Sequence, residues 1–179
     1  TGFAVIDRRG SAVACGLSMN GAFGIGRLLP GLGFVPAAAV PEGTRSWTLA
    51  GSDFLVSAIV VNNFSGEIIF AGAASGGAAA PAALVQSVLP TILNGSPLAE
   101  NVAAPRIFQF SNPDVTFVEA GYAPEALAAM QRLGHQVART VRPGRVNAIS
   151  CVNNQGSRPN ACEFVSEARG YGIGTGGAF

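Results

Sequence analysis

Thr1 joins a hydroxyl and a free α-amine on one residue, a nucleophile that carries its own base. An α-amine has an intrinsic pKa of about 7.7–8.0, so a useful share is unprotonated near neutral pH. It can take the hydroxyl proton directly or through one water, the N-terminal-amine route to an activated threonine. The sequence contains no lysine, since all eleven basic side chains are arginine, so this α-amine is its one aliphatic amine. A chain that opens without Met is expected where cleavage of a precursor exposes the threonine. The plain alternative is a trimmed terminus with no chemistry.

The 179 residues suffice for one domain. Only 12% are charged and 49% are hydrophobic, against about 25% charged in a typical soluble domain. Such a surface is expected to be buried against a partner, for example the piece cut from the front of the same precursor. A net charge of +1 gives no electrostatic case for nucleic acid. Arg139, Arg142 and Arg145 cluster around Pro143-Gly144 and read as a solvated turn. Cys15, Cys151 and Cys162, with His135 the single histidine, lack zinc-site spacing. No metal and no cofactor is expected. Cys151 and Cys162 could pair across a hairpin, but buried free thiols are the preferred reading. The cysteines leave the compartment undetermined. No signal peptide is visible, and none is expected on the back half of a precursor.

From Ile68 to Ala99 no residue is charged, long enough for a membrane span. The run is mostly Ala and is broken by Gly76-Gly77, Pro81, Pro90 and Asn94-Gly95. A helix buried between layers fits it better than a span.

The elements that must position Thr1 begin with a hairpin: an apolar run at Phe3–Ile6, a turn at Asp7–Gly10, and a second run at Ser11–Met19. Both strands are apolar on both faces, which predicts a central sheet covered above and below. Residues 20–45 read as an extended loop. Val56–Val61 and Ile68–Ala71 form a second hairpin, residues 77–93 a helix, and Pro97–Val102 a short one. Arg106–Phe110 and Val115–Glu119 are strand-like, and Pro124–Leu133 is an amphipathic helix closed by Gly134. Three strand-like runs follow at Gln136–Val141, Val146–Val152 and Ala161–Val165. This order predicts an α+β fold with mostly antiparallel sheets. His135, in a turn between helix and strand, reads as structural.

These residues together resemble the small subunit of the γ-glutamyltransferase family, the γ-glutamyltranspeptidase group of N-terminal nucleophile hydrolases. The resemblance rests on an ordered set. It comprises Thr1 with Val5-Ile6-Asp7 and Gly10-Ser11-Ala12-Val13-Ala14, Ser18-Met19-Asn20 with Phe23-Gly24, and Ser75-Gly76-Gly77 before a long helix. Asn101-Val102-Ala103-Ala104-Pro105-Arg106, Leu133-Gly134-His135-Gln136-Val137 and a late Arg169-Gly170 complete it. It spans essentially the whole chain. It implies a four-layer αββα sandwich in which residues 1–179 form one catalytic small subunit, cut by self-cleavage from a precursor. A separate large subunit from that precursor is then an obligate partner, with a small molecule as substrate and no nucleic acid or membrane.

Residue by residue, the resemblance makes Thr1 the nucleophile and Ser18 a second hydroxyl beside it. Asn20 falls where the family holds the donor's α-carboxylate. Gly76 and Gly77 fall at the oxyanion hole, where the chemistry wants two backbone N–H groups aimed at one spot with no side chain in the way. The bland readings are a strand hydroxyl for Ser18, a turn residue for Asn20 and a plain strand-to-helix turn for the glycines.

The departures bear on substrate. Gly2-Phe3 replace the usual Thr or Ser and His after the nucleophile. Residues 31–41, GLGFVPAAAVP, carry no acid where the family places the carboxylate that grips the donor's α-ammonium. A buried ammonium without a counter-charge costs several kcal/mol. Either Asp53 replaces the missing carboxylate, or the donor is not an ordinary γ-glutamyl group. An enzyme with a substrate diverged from glutathione is therefore expected. The alternatives are a relative in specialised metabolism that cleaves a C–C or amide bond (an alkylproline-pathway hydrolase or an antibiotic acylase) and a catalytically inert structural homologue.

Overall fold

Ala-Gly-Ala-Ala at residues 71–74 lets other layers approach one strand closely from both sides, and the fold is built around it. A computed structural model of the chain describes residues 1–20, 23–39, 55–141, 143–151 and 162–176. The elements run β1 (Gly2–Ile6), β2 (Ala12–Gly16), β3 (Val56–Val61), β4 (Ile68–Ser75), α1 (Ala79–Asn94), α2 (Leu98–Ala103), β5 (Ile107–Ser111), β6 (Asp114–Glu119), α3 (Pro124–Arg132), β7 (Val137–Thr140), β8 (Arg145–Ser150) and β9 (Glu163–Val165). Each sequence-predicted element among the described residues is present, with ends shifted by a few residues.

The central sheet has the order β3-β4-β8-β9, all antiparallel. Its period of two sorts side chains between two layers. Phe70, Ala74, Val146 and Ala148 pack with Ala83, Leu84 and Val88 of α1 and Leu98 and Val102 of α2. Each large apolar side chain fully buried there contributes roughly 1.5–3 kcal/mol. Ala71 and Ala73 point the other way, to the β1-β2 hairpin, which stacks on β4 without joining its sheet. Gly2 is placed so close that a Cβ there would lie 2.8 Å from the Ala73 Cβ. The hairpin turn is tied by Asp7, whose Oδ1 accepts the N–H groups of Arg9 and Ser11 at 2.8 Å.

The hairpin departs from expectation on its other side. Phe3, Val5 and Val13 are 41%, 54% and 53% exposed, so within this chain only one face of the hairpin is covered. A third sheet, β5-β6-β7, contains the one parallel pairing among the described strands, β6 with β7, bridged by α3. The sulfurs of Cys151 and Cys162 are bonded, S–S 2.04 Å, which corrects the expectation of free thiols: β8 and β9 run antiparallel and bring the two ends together. No helix among the described residues is long and apolar enough to cross a membrane. The uncharged run divides into β4 and α1, because Gly76 and Gly77, both at positive φ, turn the chain between them.

A buried ionic cluster holds the layers in register. Arg106 and Glu167 are each 2% exposed and meet at 2.7 Å. Arg106 also donates to the carbonyls of Val102 and Gly144, while Glu167 accepts the N–H groups of Val146 and Arg169. Arg169 bonds Glu119 at 2.6 Å and Glu167 at 2.9 Å, and donates to the carbonyls of Val102, Ala103 and Ala104 at the end of α2. At the opposite end of α2, Glu163 accepts the N–H groups of Leu98 and Ala99. A short helix with orphan groups at both ends is thus satisfied by charge of the appropriate sign at each.

Burial pushes the Glu167 carboxyl up, but Arg106 and the backbone donors outweigh it and leave it below the ordinary glutamate value of 4.5. A carboxyl with a depressed folded pKa contributes stability above its unfolded value and loses it as pH falls through the folded one. Stability should therefore decline with acid below about pH 4.5, and Glu167→Gln should flatten that part of a pH series of urea melts. Arg106→Ala, which strands a buried carboxylate, should cost about 3–5 kcal/mol in the same measurement. A loss under 1 kcal/mol would show that water reaches the cluster.

Candidate active site

Thr1 is fixed by its backbone. Its α-amine donates to the Leu17 carbonyl at 2.9 Å, and Leu17 N–H donates to the Thr1 carbonyl at 2.8 Å, extending the hairpin ladder by one step. One residue on, Asn147 Nδ2 donates to the Gly2 carbonyl at 2.8 Å. The Asn147 Oδ1 accepts Glu167 N–H at 3.1 Å. The N-terminus is thereby linked through one amide side chain to the buried Arg106–Glu167 pair.

The glycine pair sits where β4 ends and α1 begins. Gly76 has φ 118° and Gly77 φ 68°, backbone that L side chains rarely adopt. Gly76 has a second requirement: a Cβ there would lie 2.9 Å from the Gly144 Cα. Gly144 in turn packs on α1, where its own Cβ would meet Ala83 at 2.8 Å, and its carbonyl is held by Arg106. Neither Gly76 nor Gly77 N–H has an acceptor among the described residues. Two unsatisfied donors before a helix of 16 residues are suited to negative charge.

Thr1, Gly76 and Gly77 line one open cavity of about 550 Å³. Gly144, Arg145 and Arg169 are also in its walls, which carry no carboxylate among the described residues. Three of the sequence-predicted site residues are thus brought together. Ser18 and Asn20 are not in the lining of this cavity. The Ser18 hydroxyl accepts Asn20 N–H at 3.1 Å. Asn20 has φ 52° and donates its side-chain amide to the Ala38 carbonyl at 3.1 Å, closing the loop that follows. Asp53 lies outside the described residues. His135 is exposed in the turn after α3, its N–H bonded to the Met130 carbonyl. No group of three or more His, Cys, Asp or Glu among the described residues could hold a metal.

Sequence reading missed Asn147, Gly144 and Arg145. Pro143-Gly144 read as a solvated turn, but both residues are buried, and Arg145 faces the cavity. The local sequence signals a turn correctly; only the packing of that turn under Gly76 and α1 reveals its place at the site. Asn147 had one weak signal, a polar residue inside an apolar strand.

A sequence profile of the family described as Gamma-glutamyltranspeptidase matches residues 53–176. The match includes the glycine pair and leaves out Thr1, Ser18 and Asn20. Among solved structures, the W525D mutant of the gamma-glutamyltranspeptidase of Pseudomonas nitroreducens superposes with TM-score 0.75 at 21% identity, covering 99% of each chain. The Helicobacter pylori gamma-glutamyltranspeptidase T380A mutant gives 0.74 at 20% identity, with 95% of this chain and 100% of the other covered. The Bacillus anthracis transpeptidase CapD gives 0.74 at 17% identity over 99% of each. These structures share the fold over 95% or more of this chain. Among curated protein sequences, none matches.

Asn147→Asp keeps the Oδ1 acceptor for Glu167 N–H but sets a carboxylate against the Gly2 carbonyl. We expect it to slow modification of Thr1 by an electrophile roughly tenfold and to lower stability by about 1–3 kcal/mol, the cost of leaving a partly buried acceptor unmet. Unchanged Thr1 reactivity would separate Asn147 from the positioning of the terminus.

Proposed function

Because the chain belongs to the gamma-glutamyltranspeptidase family, we propose that it is the catalytic small subunit of an acyl-transfer enzyme whose nucleophile is Thr1. The observation that carries this reading is the meeting of Thr1 with the Gly76-Gly77 turn at one cavity. Thr1 Oγ attacks the carbonyl carbon of an amide donor while the α-amine takes the hydroxyl proton. The amine keeps one N–H on the Leu17 carbonyl, which leaves its lone pair for that proton. The carbonyl oxygen becomes an oxyanion and accepts from the Gly76 and Gly77 N–H groups, each worth about 3 kcal/mol of barrier. The C–N bond breaks, the leaving amine takes the proton, and an ester on Thr1 remains. Water or an acceptor amine attacks that ester, returns a proton to Oγ through the α-amine, and releases the acid or the new amide.

In this reading Ser18 orients the nucleophile from beside Leu17, and Asn20 offers its second amide N–H to the donor. Asp53 is the counter-charge for a donor that carries an ammonium. Among the described residues the cavity walls carry arginine and no acid, which favours the other branch, a donor without one. A large subunit from the same precursor covers the open face of the hairpin at Phe3, Val5 and Val13 and supplies the outer layer of an αββα sandwich. The exposure of those side chains and the low charge content support it.

The test uses protein made from the full precursor. Mixing with an acyl p-nitroanilide and acid quenching should add one acyl mass to the tryptic peptide Thr1–Arg8. Release of p-nitroaniline should fall at least a thousandfold in Thr1→Ala, near the range for loss of a catalytic nucleophile. The same substitution in the precursor should leave a single band on a denaturing gel, since the hydroxyl also attacks the preceding peptide carbonyl. Two subunits from that mutant would mean that another agent cuts the chain.

A further inference from the structure

β9 is three residues long and lies at the edge of the central sheet, paired with β8 alone among the described strands. Its register sets Ala148 against Val165, Ile149 against Phe164 and Ser150 against Glu163. One step further, Cys151 faces Cys162, and the disulfide continues the ladder there. The two Cα atoms lie 4.3 Å apart, as in the narrow pairs of an antiparallel ladder. Cys151 is fixed on its other side, since its N–H donates to the Ile69 carbonyl of β4 at 2.8 Å. The bond therefore ties the first end of β9 to β8 and, through it, to β4. Both cysteines are only half-buried, so a small thiol can reach them.

Much hangs on so short a strand. Glu163, its first residue, accepts the N–H groups of Leu98 and Ala99 at the start of α2, each at 2.8 Å. Two residues beyond its end, Glu167 pairs with Arg106 and accepts Val146 N–H at 3.0 Å. The Glu167 N–H donates to Asn147, which holds the Gly2 carbonyl next to Thr1. A short edge strand opens locally at low cost. A cross-link that closes the 152–161 loop removes conformations from the open state and so keeps the strand in place.

We propose that the Cys151–Cys162 bond is a redox-sensitive latch on Thr1: oxidised, it keeps β9 on β8 and the terminus in its reactive place; reduced, it lets β9 open and slows Thr1. The inference rests on Thr1 as the nucleophile and adds a means of controlling it. Opening the latch is thiol–disulfide exchange with a dithiol reductant. One thiolate of the reductant attacks a sulfur of the pair, the S–S bond breaks, and the other cysteine leaves as a thiolate that takes a proton. The second thiolate of the reductant then displaces the first cysteine. The reductant ends as a disulfide and the protein as two thiols. Closing runs the same exchange in reverse with a disulfide oxidant.

The test uses protein made from the full precursor, with alkylation and mass analysis to follow the Cys151 and Cys162 thiols. After reduction with dithiothreitol, modification of Thr1 by an electrophile should slow roughly fivefold or more, the effect of a displaced nucleophile. The amides of residues 163–167 should exchange with deuterium roughly tenfold faster, with the far-ultraviolet circular dichroism unchanged. Reoxidation with glutathione disulfide should restore both. The double variant Cys151→Ser, Cys162→Ser should match the reduced protein and ignore dithiothreitol. A dithiothreitol effect that persists in that variant overturns the latch, as does a bond that dithiothreitol leaves intact in the folded protein. Loss of the folded signal on reduction also overturns it, since the bond then holds the whole fold. Should the double variant fail to accumulate, reduction and reoxidation of wild type decide on the same terms. Thr1 adducts formed at equal rates in the two states sink the latch alone. No Thr1 adduct in either state sinks the nucleophile reading and takes this inference with it.

Discussion

The structure depends on one buried ion pair, Arg106 with Glu167. Two charges removed from water are costly unless their remaining donors and acceptors are met, and here every side-chain nitrogen and oxygen of the pair but one has a partner. The exception is the Arg106 Nε, buried with no partner among the described residues. The partners of the pair are spread along the chain: the end of α2, the Gly144 turn, the start of β8, and Arg169. Each bond ties a different segment to one point. Burial lowers the Arg106 pKa and Glu167 opposes that fall, so the two charges stabilise each other's ionised form.

Both halves of the candidate site rest on that point. The Gly144 carbonyl is held by Arg106, and the Gly144 backbone is the surface against which Gly76 turns. Glu167 holds Asn147 through its backbone N–H, and Asn147 holds the Gly2 carbonyl next to Thr1. Thr1 and the glycine pair therefore come from segments more than 70 residues apart and share one buried anchor. Small residues make the approach possible. Gly2 on Ala73, Gly76 on Gly144, and Gly144 on Ala83 are contacts in which a larger side chain would force the layers apart.

Much of the fold was legible in sequence, because apolar runs and turn residues are local signals. Gly134 after α3, Asp7 in the first turn and Gly76-Gly77 between β4 and α1 each stood where the backbone required them. What failed was reading environment from local composition. The outer face of β1 and β2 is as apolar as the inner one, so its exposure in this chain had no local signature. The Pro143-Gly144 turn is charged on either side, yet its backbone is buried. The Cys151–Cys162 bond follows from the pairing of β8 with β9, which spacing alone left open.

The order of strands and helices and the need for glycine before α1 were determined by the sequence itself, since each depends on local pattern or on a residue's own backbone freedom. The tertiary structure alone decided which carbonyl Asn147 meets, that Arg145 faces the cavity, and that Gly144 underlies Gly76. Those facts depend on contacts between segments distant in the chain, where register and close packing, rather than residue type, choose the neighbour.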